Sequence, residues 1–161
     1  MKLVVLTKQF GNYTGATIST IELLKRISSN FDSVLVLTLK TDGTIIDNVN
    51  VTVLKGYLKL IKSLKKQKNV IGYSDDHLGF LFSLANINYV HTYHGNWPDA
   101  RKLSFDMFIK SFYFMPLYKI TIRKAWKVIS VSQYMQQHFV NLINKNNEVI
   151  YNGVRYYTLS R

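Results

Sequence analysis

The chain has 161 residues, of which 47% are hydrophobic, and it carries a formal net charge of +12. This length suits one domain with a sizeable core. The absence of cysteine excludes a disulfide framework and a thiolate zinc site, and no stretch has the roughly 18 clean apolar residues that a membrane span needs.

Predicted strands and helices alternate along the chain. Apolar, β-branched runs predict seven strands, at residues 2–7, 33–39, 49–55, 69–74, 87–93, 127–132 and 148–152. Apolar residues at helical spacing predict helices at residues 15–29, 57–67, 75–86, 101–125 and 133–144, the fourth of them broken or kinked near Pro116. Alternation of this kind implies βαβ units with right-handed crossovers. We therefore expect a single α/β domain, a Rossmann-like, doubly wound and mostly parallel sheet of about seven strands with helices on both faces.

The loop after the first strand is the first candidate for a ligand site, because such sheets bind ligands outside the carboxyl ends of their strands. Gly11, Thr14 and Gly15 lie in this loop, which opens a helix. Free N–H groups at a helix start suit a phosphate or a hydroxyl-rich ligand. A plain strand-to-helix turn explains the loop equally well. The loop contains neither the G-x-G-x-x-G fingerprint nor a P-loop lysine pattern.

Polar residues also follow three later strands. Asp75 and Asp76 come after the fourth strand, either as a general-base pair or as an acid-rich, capped helix start. Ser132 follows the sixth strand, where it is also a candidate helix cap. Asn152 and Gly153 follow the seventh, and Asn-Gly is a turn signal by itself.

The fifth strand ends in His94 and Gly95, with Trp97 close behind. Glycine there permits an unusual backbone and close approach of a ligand. A lone histidine is more often structural than catalytic, so His94 gains weight only from the other polar strand ends. His91 and His94 are three residues apart on a strand and point to opposite faces, so we predict no metal site. The convergence of polar groups at one sheet edge predicts a ligand cleft.

Three segments resemble the N-terminal domain of GT-B fold, family 4 glycosyltransferases. They are NVIGYSDDHLGFLFSLANINYVHTYHG (residues 69–95), WKVISVSQYMQQHF (residues 126–139) and VIYNGV (residues 149–154). The resemblance implies one half of a GT-B fold. It also implies a retaining hexosyltransferase that acts on a lipid-linked or polysaccharide acceptor, in bacterial cell-surface polysaccharide synthesis.

In this family the N-terminal domain holds the acceptor, and a C-terminal domain, absent from these 161 residues, binds the nucleotide-sugar. The nucleotide-sugar is a co-substrate, and no cofactor is expected. The resemblance makes His94 the cleft histidine that contacts the transferred sugar. Because the domain that binds the nucleotide-sugar is absent, residues 1–161 alone are expected to be inactive. The substrate-binding residues expected beside His94 are Gly11, Thr14, Gly15, Asp75, Asp76, Gly95, Trp97, Ser132, Asn152 and Gly153. Arg155 stands where the family has aspartate.

The positive charge is concentrated in two segments. Residues 55–68 contain six lysines and no acid, and residues 101–127 contain seven Lys/Arg against Asp106 alone. Such regional charge favours an anionic partner surface. Together with the aromatics of residues 105–118, it suggests a cytoplasmic protein bound peripherally to the inner face of the plasma membrane. A packed core with solvated lysines is the alternative. The predicted membrane contacts are Lys59, Lys62, Lys65, Lys66, Lys110, Lys119, Arg123 and Lys124.

Three rival functions differ in class. A non-catalytic, membrane-docking subunit that presents the acceptor to a separate catalytic chain is the main alternative to an enzyme. Nucleic-acid binding would use the same charge and aromatics, but no RNP, helix-turn-helix or zinc pattern supports it, and we expect no nucleic-acid partner. A nicotinamide enzyme is disfavoured by the absent fingerprint.

Overall fold

The structure, a computed structural model, describes residues 1–95 and 97–151, and for Trp97 it describes the backbone only. The strands described form one sheet in the order β3-β2-β1-β4-β5-β6-β7, and each neighbouring pair is parallel. They are β1 (Lys2–Phe10), β2 (Ser33–Thr41), β3 (Val49–Val53), β4 (Val70–Ser74), β5 (Tyr89–Tyr93), β6 (Lys127–Ser130) and β7 (Asn147–Val149). The predicted Rossmann-like α/β sheet is confirmed, and it is parallel throughout these strands.

The helices alternate with the strands. They are α1 (Gly15–Ile27), α2 (Tyr57–Lys65), α3 (Phe80–Leu84), α4 (Trp97–Ala100), α5 (Phe105–Lys124), α6 (Gln133–Met135) and α7 (Asn141–Ile143). Short 3₁₀ turns occupy Ser28–Asn30 and His77–Gly79, and a π-helical turn at Gln136–Val140 joins α6 to α7.

Two predicted elements differ in the structure. The helix expected over residues 75–86 begins only after Asp76, whose side chain accepts a hydrogen bond from the Leu78 N–H at 2.7 Å, and it starts as a 3₁₀ turn. The sequence predicted a break or a kink near Pro116, and the break is wrong, because α5 continues through the proline. Burial of Tyr118, Thr121 and Ile122 beyond the proline holds the second half of α5 against the sheet, which offsets the missing backbone hydrogen bond.

Right-handed crossovers distribute the helices between the two faces of the sheet. β2 and β3 extend the sheet on one side of β1. The chain then crosses back to the other side of β1, where β4 to β7 follow in order. Connections that run in opposite directions along the sheet lie on opposite faces. Accordingly Leu60, Leu81, Ile122 and Val140 from α2, α3, α5 and the π-helical turn share one core cluster. The apolar side chains of α1 belong to the other cluster.

The helix α5 is longer than the strands beside it. Its 20 residues span about 30 Å, whereas the five residues of β5 span roughly 17 Å. Only Ser111 is buried in its first half. Because helices run antiparallel to the strands that they connect, this first half extends beyond the carboxyl edge of the sheet. None of the helices in the described ranges is long and apolar enough to cross a membrane.

We predict that Gly72→Ala destabilises the fold. A Cβ built on Gly72 would lie 2.8 Å from Phe82 Cε1 and 2.8 Å from Tyr89 Cβ, so β4 or its neighbours must shift. The expected loss is about 1–3 kcal/mol of unfolding free energy, measured by urea denaturation. Gly15→Ala is the matched control, because no atom lies within 4 Å of its Cβ, and it should leave the midpoint nearly unchanged. Equal midpoints for the two variants would contradict the close packing at Gly72.

Candidate functional site

The topological switch point lies between β1 and β4. The connections that leave these two neighbouring strands run in opposite directions along the sheet. Ligands of open α/β sheets bind in the crevice at the carboxyl ends of such strands. A cavity of about 490 Å³ opens at this place. Among the residues predicted from the sequence, it is lined by Thr14, Asp75, Asp76, His94, Gly95 and Lys110.

Other predicted site residues lie elsewhere. Gly15 begins α1 and Gly11 precedes it, and neither lines the cavity. Gly11 has a φ of 145°, and a Cβ there would lie 2.3 Å from the Asp42 carboxyl, so this glycine is required by the turn itself. Ser132 caps α6 by accepting a hydrogen bond from the Met135 N–H at 3.2 Å. The side chain of Trp97 and residues 152 and 153 (Asn152 and Gly153) lie outside the described part of the chain.

The start of α1 forms one side of the cavity. Thr14 and Thr17 form a capping box, in which the Thr17 N–H donates to Thr14 Oγ1 (3.3 Å) and the Thr14 N–H donates to Thr17 Oγ1 (2.9 Å). The box fixes the direction in which the chain enters the helix. Other N–H groups of the first turn keep the partial positive charge that favours an anion or a hydroxyl oxygen.

The carboxyl of Asp75 forms the floor of the cavity. Its side chain is 5% exposed, and Oδ2 accepts a hydrogen bond from Thr20 Oγ1 at 2.7 Å. The nearby Thr7 hydroxyl donates to the Gln9 carbonyl at 3.0 Å. Oδ1 is therefore buried without a hydrogen-bond partner within the described part of the chain. Burial raises the pKa of Asp75, and an unsatisfied buried oxygen is costly unless a ligand completes it.

Asp76 has a different environment. Its Oδ1 accepts from the Leu78 N–H at 2.7 Å, and its Oδ2 accepts from the Lys8 N–H. Burial raises the pKa of Asp76, and the negative charge of Asp75 raises it further. Two neighbouring carboxyls of this kind retain a proton closer to neutral pH than isolated ones. Among the residues described, no group of three or more His, Cys, Asp or Glu side chains is arranged to hold a metal ion.

The two histidines of the fifth strand region differ in role. His91 is fully buried, and its Nδ1 lies 2.9 Å from Ser74 Oγ, which makes it part of the core. His94 follows the end of β5 and faces the cavity, and its Nε2 is buried with no hydrogen-bond partner among the residues described. Burial lowers the pKa of His94 to about 4. His94 is therefore a neutral imidazole at pH 7, able to donate or accept one hydrogen bond at Nε2.

The wall opposite α1 comes mostly from residues that were not predicted as site residues, although two of them, Phe114 and Tyr118, belong to the aromatics that the sequence assigned to a membrane contact. Met107, Phe114 and Tyr118 of α5 line the cavity together with His77 and Lys8. The rings of His77 and Phe114 are 4.8 Å apart between centroids, and the Lys8 ammonium lies 5.7 Å from the centroid of Phe114. Lys8 lies near the carboxyl end of β1. The tendency of ligands to bind at the carboxyl ends of strands beside the switch point could therefore have identified it. The α5 wall depends on tertiary packing and has no comparable local signal.

A larger cavity of about 650 Å³ lies on the sheet face beside α1. Its walls include Ile18, Leu23, Tyr73 and Ile129, and none of the predicted site residues in the described part of the chain lines it. Tyr73 and Ile129 lie within β4 and β6 rather than beyond their ends. The cavity at the switch point is therefore the candidate site.

The predicted membrane-contact residues are all exposed. These are Lys59, Lys62, Lys65 and Lys66 at α2, and Lys110, Lys119, Arg123 and Lys124 on α5. The aromatics of α5 divide into two groups. Tyr118 is in the core and Phe114 packs against it, whereas Phe105 and Phe112 are 78% and 69% exposed. A contact of 3.1 Å between the hydroxyls of Tyr57 and Tyr113 joins the start of α2 to α5.

Comparison with known proteins identifies the family and the fold of the chain. The model of Glycosyltransferase Family 4 matches residues 13–156. HepE from Anabaena, solved in complex with UDP-glucose, superposes with a TM-score of 0.65 at 17% identity, over 94% of this chain and 44% of HepE. WaaG, a glycosyltransferase involved in lipopolysaccharide biosynthesis, superposes with a TM-score of 0.65 at 12% identity, over 91% of this chain and 44% of WaaG. The chain thus spans less than half the length of these structures, which share its fold. No curated protein sequence matches it closely enough to count as a relative.

We predict that Asp75→Asn stabilises the protein at alkaline pH. The folded-state pKa of Asp75 is raised, so at pH 8 the fold carries the cost of a buried carboxylate, which an amide avoids. The expected gain is roughly 1–3 kcal/mol at pH 8. It should shrink as pH falls through the folded-state pKa and vanish near the lower unfolded-state value. Urea denaturation at a series of pH values measures it.

Asp42→Asn is the control, because its effect on stability at pH 8 should have the opposite sign. Hydrogen bonds from Thr44 and Asn12 lower the pKa of Asp42 to about 2, so its charged form stabilises the fold above the unfolded-state pKa. Asp42→Asn should therefore lose stability at pH 8. A pH-independent effect of Asp75→Asn would show that its carboxyl does not titrate differently in the folded state.

Proposed function

Because the chain belongs to glycosyltransferase family 4, we propose that residues 1–161 form the N-terminal, acceptor-binding domain of a glycosyltransferase. The enzyme transfers a hexose, with retention, from a nucleotide-sugar to a lipid-linked or polysaccharide acceptor. Its place is bacterial cell-surface polysaccharide synthesis at the cytoplasmic side of the plasma membrane. The substrate, the stereochemistry and the location are all parts of the proposal.

One observation carries the proposal. The cavity at the switch point brings the Asp75 and Asp76 carboxyls, the neutral imidazole of His94 and the start of α1 to one place. Saccharides present many hydroxyl groups, each a donor and an acceptor. Two buried atoms have no hydrogen-bond partner among the described residues, namely Asp75 Oδ1, which can accept a hydrogen bond, and His94 Nε2, which can donate or accept one. Such a pair suits a ligand rich in hydroxyl groups.

His94 is the residue proposed to touch the transferred sugar. It follows β5 directly, so its position is fixed by a strand that is paired on both sides. Its imidazole is neutral because burial lowers its pKa. It therefore binds a sugar hydroxyl by a hydrogen bond and adds no positive charge near the anomeric carbon.

The nucleotide-sugar is proposed to bind mainly a second domain. HepE is solved with UDP-glucose and with UDP, and this chain covers 44% of it. The start of α1 lines the cavity, and we propose that its N–H groups point toward a phosphate of the nucleotide-sugar. Residues 1–161 alone are expected to show no transfer.

We also propose a membrane contact, which would suit a lipid-linked acceptor. Phe105 and Phe112 are exposed on the same helix as the exposed Lys119, Arg123 and Lys124, and this combination of aromatic and basic residues suits the interface of an anionic bilayer. A non-catalytic docking subunit would need the same surface. The buried polar cavity favours an enzyme, because docking alone gives no reason to keep a carboxylate oxygen, Asp75 Oδ1, without a partner in the described part of the chain.

We predict that His94→Ala lowers turnover by about 100-fold or more in the complete two-domain enzyme, as expected for loss of a group that binds the reacting sugar. The fold should remain intact, because His94 is outside the core clusters. Initial rates of sugar transfer measure the effect, and circular dichroism checks the fold. His138→Ala, at an exposed position on the π-helical turn, is the matched control. Wild-type turnover in His94→Ala would remove this residue from the site.

We predict that the protein sediments with vesicles of anionic lipid but not with neutral ones, and that salt weakens the association. Replacing Lys59, Lys62 and Lys65 together by Gln should reduce the bound fraction. Replacing Lys25, an exposed lysine of α1 on the other face, should leave it unchanged. Equal sedimentation with both lipids, or none, would refute the electrostatic contact.

A further inference from the structure

We propose that the acceptor carries a phosphate group, which binds between the side chains of Lys8 and Lys110 at the mouth of the cavity while the saccharide reaches the Asp75 carboxyl at its floor. This inference rests on the proposed function and adds the chemical class of the acceptor. It is carried by the distribution of charge inside the cavity.

Lys8 supplies the first cation. Its backbone N–H donates to Asp76 Oδ2 at the switch point, which fixes its Cα. Its side chain crosses to the opposite wall, where the ammonium lies 5.7 Å from the Phe114 ring centroid. Within the described ranges no carboxylate forms a salt bridge with it. A lysine held at the mouth by an aromatic ring is placed for a ligand anion.

Lys110 supplies the second cation from one turn before Phe114 on α5, and it lines the same cavity. Its ammonium forms an i,i+4 pair with Asp106 at 2.6 Å, and both side chains are at least half exposed. Exposed pairs of this kind contribute only a few tenths of a kcal/mol. A phosphate carries more charge and offers more acceptor oxygens, so it replaces Asp106 readily.

The floor of the cavity excludes the phosphate and accepts hydroxyls. Asp76 has both carboxyl oxygens bonded to backbone N–H groups, whereas Asp75 Oδ1 has no partner in the part of the chain described. A carboxylate repels a phosphate and accepts a hydrogen from a hydroxyl. The charges thus orient the ligand, with its phosphate toward Lys8 and Lys110 and a sugar hydroxyl toward Asp75.

The first test is a titration of residues 1–161 with inorganic phosphate at pH 7.5, followed by amide chemical shifts. We expect saturable binding that Lys8→Gln weakens by about fivefold or more. The control, Lys62→Gln on α2, should change it less than about twofold, because it removes the same charge away from the cavity. Both lysines are exposed, so both variants should keep the wild-type spectrum. No saturable binding, or equal weakening in both variants, would overturn the proposal.

Competition then identifies the source of the phosphate. Glucose 1-phosphate represents a soluble sugar phosphate, and dihexanoyl phosphatidic acid below its critical micelle concentration represents a lipid headgroup. Displacement of inorganic phosphate by either one supports the proposal, and the tighter competitor names the source. Failure of both would overturn it. The proposal would also be overturned if UDP displaced inorganic phosphate equally well from the wild-type protein and from Lys8→Gln, since the site would then belong to the nucleotide-sugar.

The same variants in the two-domain enzyme separate this inference from the proposed function. Lys8→Gln should raise the KM for the acceptor and leave the KM for the nucleotide-sugar unchanged. If Lys8→Gln has no effect while His94→Ala abolishes transfer, the phosphate site is wrong and the glycosyltransferase assignment stands. If neither variant affects transfer, the phosphate site is wrong and His94 does not contact the sugar. If the wild-type two-domain enzyme shows no sugar transfer, the proposed function fails as well.

Discussion

The hydrogen bonds of Asp76 tie together the two strands on which the site depends. One carboxylate oxygen accepts from the backbone of Lys8 at the end of β1, and the other accepts from the backbone of Leu78 after β4. These strands are neighbours whose connections run in opposite directions, so their ends would otherwise separate into a crevice without a fixed width. Bonding one carboxylate to both fixes that width. It also sets where the 3₁₀ turn begins and turns Lys8 toward the far wall.

This arrangement has a cost in stability. Asp76 is satisfied, but it brings its charge close to Asp75, and Asp75 retains an oxygen with no partner among the described residues. The carboxyls have raised pKa values, while burial lowers the pKa of His94 to about 4 and that of His77 to about 4. As pH falls below 7, protonation of the carboxyls favours the fold, and the penalty for keeping the histidines neutral opposes it. Such opposed titrations are typical of functional sites.

The sequence predicted the sheet and part of the site for one reason. Buried parallel strands are continuous apolar runs, and the residues that follow them must lie at one edge of the sheet. Thr14, Asp75 and His94 could therefore be grouped from their positions along the chain alone. The α5 wall could not be predicted in this way, because whether Phe114 turns inward while Phe112 stays exposed depends on how far the helix extends past the strands. The break predicted at Pro116 is absent for the same reason. Packing of Tyr118 against the core outweighs the local helix-breaking preference of proline.

The helix α5 connects the chemistry of the cavity to the outer surface. Phe114 and Tyr118 face inward and Phe105 and Phe112 face outward, so the wall of the cavity and the exposed aromatic surface are two sides of one helix. A rigid helix cannot move one side without the other. If the outer side rests on a bilayer, the mouth of the cavity is held within about one helix diameter, roughly 10 Å, of the lipid headgroups. At that distance a phosphate in the headgroup layer and a sugar at the Asp75 carboxyl can belong to one molecule. Contact of α5 with a bilayer, as proposed above, would therefore favour a saccharide on a lipid phosphate as the acceptor.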